Sequence, residues 1–240
     1  MAYGKYKWRI AGFIFKAICT VIIAAIVILL LVRIIDSNND PREMNTIIAN
    51  DRLAAAYAEN GKDLDIFSQE HTIFTRGENN YGYFAVTQSI IIRDIDQVQF
   101  VLRYNNSTLK YTKEDYKLDE VPSRDANVYD VTLTIMYDLT PENTEDNDGE
   151  TPGTVSYKRF FASDMVSAQK TLYNYRKFVF DDIDIDDTVI AVYADFYYVG
   201  DVNYDEKPYG SLLIYHNEEE EIKYTLTQND IKAIESYRGN

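Results

Sequence analysis

Residues 129–139 read YDVTLTIMYDL, from Tyr129 to Leu139. Tyr129, Val131, Leu133, Ile135, Tyr137 and Leu139 alternate with Asp130, Thr132, Thr134, Met136 and Asp138. A period of two places the first set on one face of an extended chain and the second on the other, so this stretch predicts a half-buried antiparallel strand. Working outward, Val98, Phe100, Leu102 and Tyr104 alternate in the same way, as do Ile222, Tyr224 and Leu226. Residues 188–199, TVIAVYADFYYV, are apolar on both parities, which predicts a central strand covered on both sides. Further strands are expected at 71–76, 83–93, 154–161, 176–184 and 210–216.

Roughly nine strands joined by polar turns predict an all-β ectodomain, an antiparallel β-sandwich of the immunoglobulin-like or Greek-key kind, with short helices. One helix is expected over 41–60, where Asp40 can cap free amides, Pro41 suits the first helical position and Gly61 stops the run. A second is expected in SDMVSAQKTL after Ser163. A third should follow Thr227, because Thr227 and Asp230 have capping-box spacing and Gly239 trails the end. TPENTEDNDGETPG, residues 140–153, contains nothing that could enter a core and reads as an acidic hairpin loop. Asn105-Asn106-Ser107-Thr108 contains two overlapping glycosylation sequons, and reads more simply as a small polar turn.

The other end of the chain has a different character. Residues 11–35 are almost entirely apolar, interrupted by Lys16 and Arg33, and exceed the roughly 20 residues that a helix needs to span a bilayer. Both cations can extend towards opposite interfaces, and Tyr3, Tyr6 and Trp8 stand where interfacial aromatics belong. Lys5, Lys7, Arg9 and Lys16 have no acidic counterpart, whereas Asp36, Asp40 and Glu43 follow the span; the positive-inside rule therefore predicts a cytoplasmic N-terminus. LLLVRIIDSN offers bulky residues and Arg33 where a signal peptidase prefers small ones, which favours an uncleaved signal-anchor. Gly12-Phe13 superficially resembles a type IV pilin processing site, but Lys16 and Ala17 stand where that family places an acid. The expected organisation is a basic cytoplasmic tail over 1–10, a single transmembrane helix over 11–35, a polar collar and short stalk helix over 36–62, and an extracytoplasmic β-sandwich over 63–240.

Charge narrows the partners. The first 35 residues hold 5 bases and no acid, leaving 19 bases against 39 acids beyond them, a formal charge of −20. Nucleic acid is excluded as an expected partner, since phosphate binding needs clustered bases. The single cysteine, Cys19, lies in the apolar segment, so the outer part holds no disulfide; this fits a bacterial cell envelope better than a eukaryotic secretory route.

Site signatures are sparse. DDIDIDD, residues 181–187, would place Asp182, Asp184 and Asp186 on one strand face, where oxygen ligands could hold calcium; a solvated edge explains the pattern more simply. Asp201, Asn203 and Asp205 mimic the start of a calcium loop, but Glu206 replaces its glycine and Leu212 its last ligand. Glu218 to Glu221 read as a charged hairpin tip. His71 and His216 are far apart, and neither zinc, nucleophile-elbow nor phosphate-loop motifs occur, so no catalytic or cofactor-binding residue is nominated. Tyrosine is abundant, at 21 residues, and segments such as LYNYR and DFYYVGDVNY could present rings to a sugar or protein. The leading expectation is a membrane-anchored extracytoplasmic binding or accessory module without catalytic activity, engaging a protein or an envelope polysaccharide. Two alternatives are a cell-envelope glycan hydrolase using paired carboxylates, and a calcium-stabilised adhesion or pilus-like subunit.

Overall fold

The computed structural model describes residues 2–69, 74–75, 84–138 and 155–238. The chain forms two compact units, Met1–Asp40 and Pro41–Asn240. The first contains helix α1 (Ala2–Asn38), and within it Phe15–Ile34 is long and apolar enough to cross a membrane. None of that stretch is buried by the protein, and Phe15, Val21, Leu29 and their neighbours lie open along it.

The second unit is built from two antiparallel sheets. The larger comprises β1 (Ile66–Ser68), β2 (Phe74–Thr75), β3 (Phe84–Ile92), β4 (Gln97–Asn105), β7 (Asp164–Gln169), β8 (Tyr173–Phe180) and β11 (Ile222–Lys223). Its order is β11-β1-β3-β4-β8-β7, with β2 beside β3. The smaller comprises β5 (Tyr129–Asp138), β6 (Val155–Phe161), β9 (Val189–Tyr198) and β10 (Gly210–His216), in the order β10-β9-β5-β6. One core of buried side chains lies between the sheets: Phe84, Phe100, Leu102 and Phe178 enter it from the larger, and Val131, Leu133, Val192 and Phe196 from the smaller. The alternation in 129–139 is realised, with Tyr129, Val131, Leu133 and Ile135 all in this core. Only Ala162 and Ser163 separate β6 from β7, so the chain turns there from one sheet edge to the other.

A second apolar layer covers the outer face of the larger sheet. Helices α2 (Asp51–Asn60) and α4 (Gln228–Arg238) contribute Leu53, Ala54 and Ile234, which pack with Ile47, Leu64, Ile66, Ile90, Ile92 and Ile95. Met44 lies with Val101 and Tyr175 in a neighbouring cluster. The expectation of a central strand covered on both sides at 188–199 agrees with β9, where outward Ala191, Asp195 and Tyr197 are buried as well as inward Val192, Ala194 and Phe196. Two strands not foreseen as such, β4 and β8, are also buried on both faces, and their outward residues include Gln97, Gln99 and Lys177. They escape an apolar-run reading because what covers them is partly bare backbone, which needs polar partners.

That backbone is the segment just after the span. Residues 41–46 form a turn and the chain continues without regular structure to Asn50, so the expected helix over 41–60 begins ten residues late, at Asp51. Asn50, rather than Asp40, supplies the cap, its Oδ1 accepting from Leu53 N at 2.9 Å. Residues 44–48 spend their backbone groups on the sheet instead of on a helix. Lys177 Nζ donates to Met44 O at 3.1 Å and Thr46 O at 2.8 Å. Gln99 donates to Ile48 O at 2.8 Å and accepts from Ile48 N at 2.9 Å. Asp230 Oδ1 accepts from Ile47 N at 2.7 Å, while its Oδ2 accepts from Tyr224 OH, Thr227 N and Thr227 Oγ1. Lys177, Gln99 and Asp230 are all 0% exposed.

Two other elements differ from expectation. SDMVSAQKTL holds strand β7, not a helix: Ser163 Oγ donates to Val179 O at the corner, Met165 packs on the inter-sheet core, and Val166 and Ala168 pack on the opposite side. The supposed turn at 105–108 starts helix α3 (Asn106–Asp115), with Asn105 Oδ1 accepting from Thr108 N at 2.9 Å as the cap. The expected hairpin loop over 140–153, His71, Gly239 and most of the strand expected at 71–76 lie outside the described residues.

Candidate binding surface

Apolar clusters lie between the sheets and on the outer face of the larger sheet; among the described residues, none lies on the outer face of the smaller sheet. Register defines what that face displays. Cross-strand partners share a face, and the core-facing set of β5 leaves Asp130, Thr132, Thr134 and Met136 pointing outward. Beside them on β6 come Phe161, Arg159 and Tyr157, opposite Thr132, Thr134 and Met136. On β9 come Tyr197, Asp195, Tyr193 and Ala191. Ser211 and Leu213 of β10 complete the rows.

At the β6 side Tyr157 is 65% exposed and Phe161 55%. Phe161 meets the edge of Tyr204 with ring centroids 5.2 Å apart, and Tyr204 in turn meets Tyr197 at 5.1 Å, both nearly perpendicular. The Arg159 guanidinium lies 5.6 Å from the Tyr204 ring centre and 5.9 Å from that of Tyr197. Tyr204 OH donates to Asp130 Oδ2, and Thr134 Oγ1 donates to Asp195 Oδ2 at 2.5 Å. The hydrogen bond to Asp130 pushes the Tyr204 phenol up to about 12, with desolvation adding to it, so the ring presents a neutral hydroxyl at physiological pH. Beneath these groups Thr132 is fully buried, and its hydroxyl has no hydrogen-bond partner. The resulting strip combines flat apolar rings, one cation and two anchored carboxylates along the edge of a sheet.

The loop holding Asp201, Asn203 and Asp205 is what delivers Tyr204 to this strip. Asn203 accepts from Asp205 N at 3.1 Å and donates to Glu206 Oε1 at 2.9 Å, a turn stabilised by its own side chains. Asp182, Asp184 and Asp186 are exposed around buried Ile183 and Ile185, in a segment that is not a strand. Asp182 pairs with Arg52 at 2.9 Å, and Asp186 accepts from Thr188 N and Oγ1. Among the described residues no group of three or more His, Cys, Asp or Glu side chains is placed to hold a metal ion. His216 ends β10, its Nδ1 accepting from Glu218 N at 3.2 Å within the turn. The residues of the strip itself are spread over 130–204, so only three-dimensional pairing gathers them.

Comparison with protein-family models, curated proteins and solved structures finds no match for the chain.

Proposed function

We propose that this chain is a membrane-anchored extracytoplasmic binding module, without catalytic activity, that holds an envelope polysaccharide on the outer face of its smaller sheet. The architecture behind this reading is a β-sandwich of the Greek-key or immunoglobulin-like kind whose two outer faces serve different ends. One is used internally, under α2, α4 and residues 41–50. Among the described residues no further layer covers the other; its centre, with Thr132, Ala191, Asp195 and Tyr197, is buried, and Tyr157, Arg159 and Phe161 stand exposed on its β6 side.

The observation that carries the proposal is the pair of rings Tyr157 and Phe161, each more than half exposed, set beside Tyr204, Arg159 and Asp130. Exposed aromatic rings of this size cost solvation unless they find a flat apolar partner, and sugar faces supply one while their hydroxyls meet neighbouring charged groups. The formal charge of −20 beyond residue 35 disfavours strongly anionic polymers, so a neutral or cationic glycan suits the surface best. Orientation rests on the basic flank Lys5, Lys7, Arg9 and Lys16 before the apolar stretch, which favours a cytoplasmic N-terminus.

The test uses the full chain in detergent with cell-wall glycan fragments, followed by titration calorimetry. Replacing both Tyr157→Ala and Phe161→Ala is expected to weaken binding by about tenfold or more, the effect of losing central aromatic anchors. The melting midpoint should stay within about 2 °C, because exposed side chains contribute little to the fold. Equal glycan affinity in wild type and double variant would remove this surface from the proposal, and binding of a purified protein partner lost in the same variant would replace the polysaccharide with that partner.

A further inference from the structure

A cleft of about 390 Å³ opens on the opposite side of the larger sheet, where the post-span segment meets α4. Its floor is apolar, from Ile47, Ile48 and Val166, and its rim carries Arg42, Lys232, Asn229 and Glu43. Arg42 and Lys232 are both exposed and outnumber the one acid, in a unit where acids outnumber bases about two to one. Arg42 is already oriented, its guanidinium donating to Asn229 Oδ1 in the first turn of α4. Asp230 holds Ile47 N, and Lys177 holds Met44 O and Thr46 O, so the floor is built on fixed backbone.

We propose that this cleft binds a phosphate ester, either the headgroup of an anionic phospholipid or a soluble phosphate. Two cations around a small concavity, one of them guanidinium, match the charge and the acceptor geometry of a phosphate oxyanion. The apolar floor suits the glycerol or acyl-proximal carbons of a lipid and has no use for inorganic phosphate. Arg42 follows Ile34, where the apolar stretch long enough to cross a membrane ends, by eight residues in sequence. The lipid source, unlike the phosphate site, rests on the membrane-anchor reading above.

The experiment follows amide exchange in residues 228–232 of the full chain, in nanodiscs of phosphatidylcholine alone and in discs that include phosphatidylglycerol. A bound phosphate should slow exchange there about tenfold, the factor equivalent to one charge-assisted hydrogen bond of modest strength. Lys232→Gln, on an exposed residue, should abolish the slowing while leaving the melting midpoint in phosphatidylcholine discs unchanged. Arg42→Lys should weaken it, since the fork geometry is lost. Slowing in phosphatidylglycerol discs alone assigns the lipid. Slowing caused by added glycerol phosphate in phosphatidylcholine discs, with none from phosphatidylglycerol, assigns a soluble ester and overturns the lipid source. Identical exchange under all conditions overturns the site, and leaves the glycan surface on the smaller sheet untouched.

Discussion

Lys177→Ala should lower the stability of the outer unit by about 3–5 kcal/mol, seen as a fall of about 10 °C in melting midpoint. The side chain is 0% exposed, and its amine serves Met44 O, Thr46 O and Gln88 Oε1. Truncation leaves two buried carbonyls without a donor and opens a cavity beneath residues 44–46. The damage should be local before it is global: amide exchange in residues 41–50 should accelerate more than in β4 or β5. A variant with unchanged midpoint and unchanged exchange in that segment would show that Lys177 does not hold it.

The same residue carries a pH dependence whose sign can be worked out. Burial lowers its pKa to about 8 from an ordinary 10.5, with the nearby Asp230 carboxylate opposing the shift. The folded state therefore releases this proton at lower pH than the unfolded state does. Below about pH 8 both states are protonated and the buried charge costs on the order of 3 kcal/mol; between 8 and 10.5 the unfolded state binds more protons, so the contribution rises with pH. Wild type should accordingly gain stability relative to Lys177→Ala by about 2 kcal/mol between pH 7 and pH 9.5, read from urea midpoints. Buried tyrosines such as Tyr129 have pKa values raised by desolvation, which lowers stability above about pH 10, but they are common to both proteins and cancel in the difference. A gap that stays constant over this range would mean that the amine does not titrate from a buried charged state.

These bonds also explain what could be foreseen from residues alone. A strand whose one face meets the core, such as β5, announces itself through alternation, because water and core demand different side chains. The capping box Thr227 and Asp230 was visible too, since it is local: Asp230 N donates to Thr227 Oγ1 at 3.2 Å. Its second use was not, because Ile47 N reaches Asp230 from 183 positions away. The false helix over 41–50 has the same origin: Asp40-Pro41 is a sound local start signal, overridden by three buried polar side chains from distant elements, Gln99 of β4, Lys177 of β8 and Asp230 of α4. Tyr204 belongs to DFYYVGDVNY, one of the tyrosine-rich segments singled out, whereas Tyr157 and Phe161 were foreseen only as part of a strand over 154–161; their convergence needed the β5–β6 register and the Asn203 turn. Helix α3 was legible in principle from Asn105 and Thr108, and was hidden by an equally valid turn reading of small polar residues.

The inter-sheet core offers two neighbouring substitutions with opposite expected signs. Phe84 is 0% exposed; its ring stacks on Phe196 at 5.3 Å across the two sheets and meets Tyr129 at 5.0 Å, Tyr104 at 6.0 Å and Tyr209 at 6.0 Å. Phe84→Ala removes a ring that both sheets close upon, so it should cost about 3–5 kcal/mol, transfer and cavity together. Tyr104, in contact with the same ring, has a buried hydroxyl without a hydrogen-bond partner, and desolvation raises its pKa. Folding strips water from that hydroxyl and returns nothing, so Tyr104→Phe should stabilise by about 1 kcal/mol, keeping the ring and its contacts. Tyr129 shows the alternative use of a phenol in this place, since its hydroxyl bonds Thr112 of α3 at 2.6 Å. Chemical denaturation of both variants decides the matter. A destabilised Tyr104→Phe would mean that the hydroxyl has a partner in solution, and a Phe84→Ala cost under about 1 kcal/mol would mean that the two sheets close over the gap without needing the ring between them.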